Sequence, residues 1–420
     1  MIVHILSTGD EVLLGDIVDT NSAHLCRAVK DMGYKVQKIT AVGDDVEKIA
    51  SAITDISVCA DICLVTGGLG PTSDDVTALA CSRAAGEECE IDQEALTSMK
   101  AYFVKRGYEL TRENEKQAML PAGSKMMTNH NGTAPGFFMT LNQCLFFFMP
   151  GVPREMKVMM ETEVKPVLSQ RFGQAHGIFI ERITVFGLGE SGAGALLNGF
   201  HEIFPGMRLG FRVDFPVIEV KIILSDGLQE KEAAASKIKK AKDWVMERLQ
   251  NKVVSEKGLS IPEEVGRLLA SQRKTLAVAE SCTGGLISSM ITDVAGSSEY
   301  FLFSGVTYSN DAKINILGVQ KKTIIDHGAV HEETAREMAM GARLKAGADF
   351  GISTTGIAGP GGGTLAKPVG MVCIGLAGKD VSRAKTYRFA FDDREMNKKI
   401  FAVTALELLR RHLTGVPETS

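Results

Sequence analysis

The chain has 420 residues, 45% hydrophobic and 23% charged, more than one core normally organises, so about two or three globular domains are expected. The net charge is −4 and no basic run stands out, which argues against direct nucleic-acid binding, because a duplex partner needs a concentrated basic face. No apolar stretch reaches the roughly 20 residues of a membrane span, no basic-then-apolar leader precedes the first strand, and the scattered cysteines read as reduced thiols, so the expected setting is cytoplasmic, without a membrane partner.

From the amino terminus, Ile2–Leu6 reads as a strand and Thr20–Met32 as a helix capped by Asp19. Val36–Ala41 is the next strand and Val46–Ser57 the next helix. Ile62–Thr66 is a short apolar strand running into Gly67-Gly68, and a helix is expected from about Asp74. Gly136–Thr140 and Cys144–Met149 pattern as paired strands, followed by a helix over Val152–Leu168. Strands alternating with helices at this spacing imply a parallel, doubly wound sheet.

From about Gln170 to Ser255 the rhythm changes. Phe179–Phe186 is a strand, Glu190–Asn198 a helix, Arg208–Arg212 and Val217–Leu224 strands, and Glu230–Leu249 a long amphipathic helix. Asn251–Ser260 is polar and reads as a linker. A second α/β domain starts near Leu259, where Ser260 caps a helix with Pro262 in its first turn and Glu263 three residues on. Strands are expected at Thr275–Ala279, Phe350–Thr354, Val369–Leu376 and Ala384–Phe391, and helices at Thr334–Ala346 and Glu395–Leu413. The expected fold class is α/β: two α/β domains with mostly parallel sheets, joined by a small α+β module, with boundaries at 1–170, 171–255 and 258–414.

The strongest motif is the strand-to-helix junction Glu280-Ser281-Cys282-Thr283-Gly284-Gly285. In open α/β sheets, ligands bind beyond the carboxyl ends of the strands, where helix N-termini present free N–H groups. A serine there is a candidate nucleophile beside oxyanion donors, although serine and threonine also cap helices at such junctions. A serine hydroxyl needs a base. Tyr308 and Lys313, in the segment Gly305–Lys313, supply a desolvated lysine and a tyrosine to orient it or relay its proton. Cys282 is a rival nucleophile on residue type, with Lys313 as its electropositive partner. A third element, Thr355-Gly356-Ile357-Ala358-Gly359-Pro360-Gly361-Gly362-Gly363, allows close backbone approach to a ligand.

Together with Ala295–Ser298, Gly318-Val319, His327–Val330 and Lys367–Gly370, these stretches resemble the CinA C-terminal domain, the nicotinamide-mononucleotide deamidase family. The resemblance implies a serine amidohydrolase that needs no cofactor, with Ser281 as nucleophile, Lys313 as base and Tyr308 as its partner. It places Glu280, Cys282, Thr283, Gly284, Gly285, Thr355, Gly356, Gly359, Gly361 and Gly362 around the substrate. It favours Ser281 over Cys282.

The first domain carries a parallel pattern in Thr66-Gly67-Gly68-Leu69-Gly70-Pro71-Thr72-Ser73-Asp74-Asp75, whose glycines permit contact with a phosphate and whose aspartates could hold a hard cation. An acidic first turn is also favourable to a helix on its own. Further candidates are Thr8, Gly9 and Glu11, Asp19 and Asn21, Pro135 and Gly136, and the run Pro150–Met156. This pattern resembles the molybdopterin-binding fold of MoaB and MogA, in the version fused at the front of CinA proteins. That version implies hydrolysis of ADP-ribose to AMP and ribose 5-phosphate with a divalent metal ion, expected at Asp74 and Asp75, and potassium. The middle module is similar to a KH module but lacks a basic Gly-x-x-Gly loop, so packing or dimerisation is expected rather than RNA binding. The expected partners are thus nicotinamide mononucleotide and ADP-ribose, and the expected assembly a homodimer. The competing readings are a deamidase with a silent ligand-binding first domain, a molybdopterin-binding protein, and a competence-associated interaction protein.

Overall fold

The computed structural model describes residues 1–172, 178–225 and 231–417. Contacts divide the chain into two compact units, one running from Met1 to Ile178, the other holding Phe179–Leu224 and the chain from Lys231 onward. Among the described residues no helix is long and apolar enough to cross a membrane.

In the first unit, the strands Val3–Thr8 and Ile62–Thr66 are buried along their whole length, which is why they read as continuous apolar runs rather than alternating ones. They lie side by side and parallel at the centre of a six-stranded sheet, with Val36–Val42 beyond the first and Cys144–Met149 beyond the second. The hairpin expected from Gly136 forms: Phe137 pairs with Phe148, and their rings stack at 4.4 Å. The sheet ends on Lys125–Met127, and a two-stranded ribbon pairs Cys89–Ile91 with Met119–Pro121. These three-residue strands are too short to show a period in sequence.

Two expectations in this unit are corrected. The helix expected from Asp74 begins at Thr77, because Asp75 folds back to accept the Thr72 N–H (2.9 Å) and hydroxyl (2.5 Å), closing a turn that a helix cannot continue through. The helix expected over Val152–Leu168 is three segments, Pro153–Met159, a π-turn Met160–Val164 and Lys165–Phe172.

In the second unit, Ile178–Phe186, Met207–Asp214 and Val217–Ser225 form one small sheet. The helix Lys231–Leu249 covers it, burying Ala234, Ile238, Ala241, Val245 and Leu249 at helical spacing. Glu230, expected to open that helix, lies outside the described residues. The stretch read as a linker is not one. Val253–Ser255 is the fourth strand of the small sheet, pairing with Ile178–Phe186. Val254 is buried in the core that holds Ile261, Val265 and Leu276, and the Ser255 hydroxyl donates to Glu264 at 3.1 Å.

The remaining sheet has five strands. Phe301–Val306, Leu276–Glu280 and Phe350–Gly356 run parallel, and Met371–Ala377 and Ser382–Arg388 follow antiparallel. The helix Ile261–Ser271 starts at the expected capping box, with Glu263 accepting the Ser260 N–H at 2.7 Å. The helix Arg394–Thr414 is buried on all faces between Ile400 and Arg411. It tolerates Glu407 there because Arg410 and Arg411 both hydrogen-bond its carboxylate. The three parallel strands end together at Glu280, Val306 and Gly356, and that end carries the site.

Candidate functional site

Ser281 follows directly on the strand Leu276–Glu280. Its backbone is fixed by two neighbours: the Ser281 N–H donates to Thr354 O (3.0 Å) and the Thr307 N–H to Glu280 O (2.8 Å). Lys313 arrives from the helix Asn310–Leu317, whose cap is the Ser309 hydroxyl accepting the Ala312 N–H. The Lys313 side chain is 1% exposed, and its Nζ lies 3.1 Å from Ser281 Oγ. The same Nζ donates to the carbonyls of Thr307 (2.8 Å) and Tyr308 (3.3 Å). Burial pushes the Lys313 pKa down from its usual 10.5, with Cys282 opposing it. Among the described residues no carboxylate supports the charged form. A neutral amine has two N–H groups and one lone pair; the two carbonyls take the N–H groups, and the lone pair is left for the serine hydroxyl.

Several roles expected around the serine change, while Cys282 keeps its place on the cavity wall. Glu280 does not face the ligand. It is fully buried, and its carboxylate accepts the N–H groups of Gly285, Ile287 and Ser288 and the Ser288 hydroxyl, at 2.5–3.1 Å. It thus occupies the helix N-terminus expected to serve an oxyanion. Among the described residues the N–H groups of Cys282 and Thr283 donate to no backbone carbonyl, and the Cys282 N–H lies against its own thiol. Thr283 is also fully buried, its hydroxyl 2.8 Å from that of Thr354, and Gly284 and Gly285 make the turn with φ of 63° and 94°. Tyr308 holds Lys313 with its carbonyl, not its ring; its ring hydroxyl accepts instead from Arg394 (3.4 Å). The Cys282 thiol is buried and its pKa pushed up to about 12, so it stays protonated near neutrality.

The structure brings Ser281, Cys282, Tyr308, Lys313, Thr355, Gly356, Gly359, Gly361 and Gly362 around one cavity of about 280 Å³. The Thr355 hydroxyl ties the glycine loop to Ala329 O at 2.8 Å. Sequence reasoning named Ala329 and Val330 only within the stretch His327–Val330, without a place at the site, and missed Arg394 on this wall. Arg394 donates to Gly359 O (2.6 Å). One signal was available: a cation in the first turn of a helix opposes the helix dipole, so helix stability does not explain it.

In the first unit the expected residues meet, but largely through one another. Asn21 donates to Thr66 Oγ1 (3.0 Å) and to Gly151 O (2.7 Å); its Oδ1 is buried without a partner among the described residues. Thr66 donates to Pro150 O, and the Thr8 and Thr77 hydroxyls pair at 3.0 Å. Gly67 and Gly68 have φ of 111° and 64°, and a Cβ on Gly67 would strike the Thr8 carbonyl. Asp19 caps its helix at the Ser22 N–H, the Glu11 carboxylate folds over Gly9, and Gly136 packs under Met159. Asp75 is held by Thr72 and packs on Gly70, and among the described residues no group of three His, Cys, Asp or Glu is placed to hold a metal ion. Asp74 stands near further acids: burial, then the charges of Asp10, Glu11 and Asp74, raise the Asp44 pKa, although the Asp10 N–H pulls it back. A cavity of about 430 Å³ opens beside Gly68, Leu69 and Gly70, with Pro135, Arg112, Lys116 and Met119 on its walls; the two cations were not expected.

Residues 259–413 match the model of the CinA C-terminal domain, and residues 4–170 that of the "Probable molybdopterin binding domain". A CinA-like protein of Desulfosudis oleivorans is 50% identical over 414 residues, spanning 98% of this chain and 100% of its own. The chain belongs to the CinA family. A CinA-like protein of Desulforapulum autotrophicum is 48% identical over 418 residues, 98% of each chain. A crystal structure of CinA from Thermoplasma acidophilum, titled as of unknown function, covers 40% of this chain and 97% of its own at 31% identity, with a TM-score of 0.37. The family match joins a MoaB/MogA-like first domain to a CinA C-terminal domain in one chain.

Proposed function

We propose that the C-terminal domain hydrolyses the amide of nicotinamide mononucleotide to nicotinate mononucleotide and ammonia. The observation that carries this reading is a buried lysine with a lowered pKa, 3.1 Å from a serine hydroxyl at the carboxyl end of a parallel sheet. Ser281 Oγ attacks the amide carbon as its proton passes to Lys313 Nζ. The carbonyl oxygen becomes an oxyanion beside the turn that carries Ser281 and Cys282. Lys313 returns the proton to the leaving nitrogen, the C–N bond breaks and ammonia departs. Water then attacks the acyl-serine ester, again losing a proton to Lys313, and frees the acid and Ser281. Arg394, free of any carboxylate partner among the described residues, is the cation placed for the substrate phosphate.

Ammonia release from nicotinamide mononucleotide, nicotinamide riboside and nicotinamide tests the reading. The mononucleotide should have the highest kcat/KM, and replacing Arg394 with Ala should remove that preference. Release from none of the three would overturn it.

A second reading concerns the first domain: its cavity takes ADP-ribose, which is cleaved to AMP and ribose 5-phosphate. It is supported by Arg112 and Lys116 on the walls of the cavity beside the glycine turn, cations able to take a diphosphate, with Asp75 and Glu115 the acids on the same walls. AMP release from ADP-ribose, with and without divalent ions, potassium and chelator, tests it. Absence of AMP under every condition would leave a ligand-binding domain.

A further inference from the structure

Arg394 lines two cavities. Besides the one at Ser281, it borders a cavity of about 430 Å³ whose other walls are Leu286, Met290, Glu395, Lys398 and Lys399. Lys399 is already paired with Asp214 at 3.2 Å. Lys398 has no such partner among the described residues, and Arg394 donates only to the uncharged Gly359 carbonyl and Tyr308 hydroxyl. The two residues are four apart on one helix, hence on one face. Lys398 also reaches back to the nucleophile turn: a Cβ on Gly284 would lie 3.7 Å from its Nζ. Two cations without a counter-charge therefore stand where the two cavities adjoin, with Glu395 the one acidic wall residue. The opposite wall is apolar. Leu286 and Met290 are one turn apart on the helix Leu286–Thr292 and only partly buried, so they offer a surface for a flat ring.

We propose that this second cavity binds a nucleoside diphosphate, with Arg394 and Lys398 on the diphosphate and Leu286 and Met290 against the base. A diphosphate at Arg394 occupies the position assigned to the substrate phosphate, so the ligand competes with the mononucleotide. The placement of that competition rests on the deamidase reading; the binding itself does not. The site gives the domain a means of sensing nucleoside diphosphates beside the active site.

ADP is the probe, with adenosine as the control lacking phosphate. In the full chain, ADP should raise the KM for nicotinamide mononucleotide without changing kcat, and adenosine should inhibit far more weakly. Lys398→Glu should raise the Ki for ADP at least about ten-fold relative to the KM for the mononucleotide, the scale set by removing one charge-assisted hydrogen bond. Equal Ki in both proteins, or no inhibition by ADP, would overturn the proposal. If no amide is hydrolysed at all, calorimetry decides alone: the wild-type chain should bind one more ADP than Lys398→Glu, and equal stoichiometry and affinity would overturn it.

Discussion

Two turns in this chain share one pattern, a buried parallel strand running into Gly-Gly and then a helix, yet they differ in what their polar groups do. At Thr66–Gly70 the surrounding hydroxyls and amides are bonded to one another: Asn21 to Thr66 and Gly151, Thr66 to Pro150, Thr8 to Thr77. At Glu280–Gly285 the supporting carboxylate sits beneath the turn, and the group above it, Lys313, keeps a lone pair for Ser281. The comparison separates polar residues that hold a turn in shape from those that retain capacity for a reaction. The first kind, when removed, should cost stability; the second should cost rate.

The largest expected effect breaks the C-terminal side. Lys313→Met should lower kcat for ammonia release by roughly 10³-fold or more, since nucleophile and base act as a unit. It should lower the melting temperature only slightly, because an apolar side chain of similar length replaces a buried amine and offsets the loss of the donor to the Thr307 and Tyr308 carbonyls. A variant that melts early would return Lys313 to a structural role. The charge sense is also fixed. Lys313 acts as the neutral amine, so activity should rise with pH through a pKa below 10.5 and be lost as the amine protonates. The same depressed pKa makes this group's contribution to folding rise with pH between its folded value and 10.5. A pH-rate profile of kcat/KM checks this.

Glu280→Gln should come next. Three backbone N–H groups and a hydroxyl point at that carboxylate, and an amide offers one acceptor fewer and a donor facing donors. A loss of about 1–3 kcal/mol in stability is expected, with kcat falling more than KM rises because the turn bearing Ser281 loosens. Denaturant melts and steady-state kinetics on the same preparation separate the two. On the other side, Asn21→Ala should cost a similar 1–3 kcal/mol and leave ammonia release intact. Ammonia release falling together with N-terminal stability would contradict the division drawn between the two turns. The smallest effect is Tyr308→Phe, within a few-fold in kcat, because the carbonyl and not the ring holds Lys313; a loss as large as that of Lys313→Met would restore the ring to catalysis.

The sequence showed most of the fold because its central strands are buried along their length and its helices carry capping side chains, as Asp19 at Ser22 and Glu263 at the Ser260 N–H. It hid the strand Val253–Ser255, three residues long in polar text, whose single deeply buried apolar side chain, Val254, makes it part of the C-terminal core. A fragment beginning at Lys257 should accordingly be less stable than the full unit by about 1.5–3 kcal/mol, the worth of one buried valine. At the site, Ser281 and Lys313 were legible because few residue types can play either part. Glu280 was legible only as a group that orients either backbone or ligand, because a carboxylate beside a nucleophile looks the same in sequence whichever it faces; the structure turns it to the backbone. Arg394 lies far along the chain from the serine, and only the fold brings it to the glycine loop.

The serine itself is tested by one paired measurement, ammonia release from nicotinamide mononucleotide by Ser281→Ala and Cys282→Ala, each folded by its melting curve. The buried thiol, with its pKa pushed up to about 12, stays protonated, whereas Ser281 Oγ lies 3.1 Å from the amine that would take its proton. Ser281→Ala should lose activity by several orders of magnitude while Cys282→Ala keeps most of it. An active Ser281→Ala beside a dead Cys282→Ala would contradict the account and put a thiolate in place of the serine.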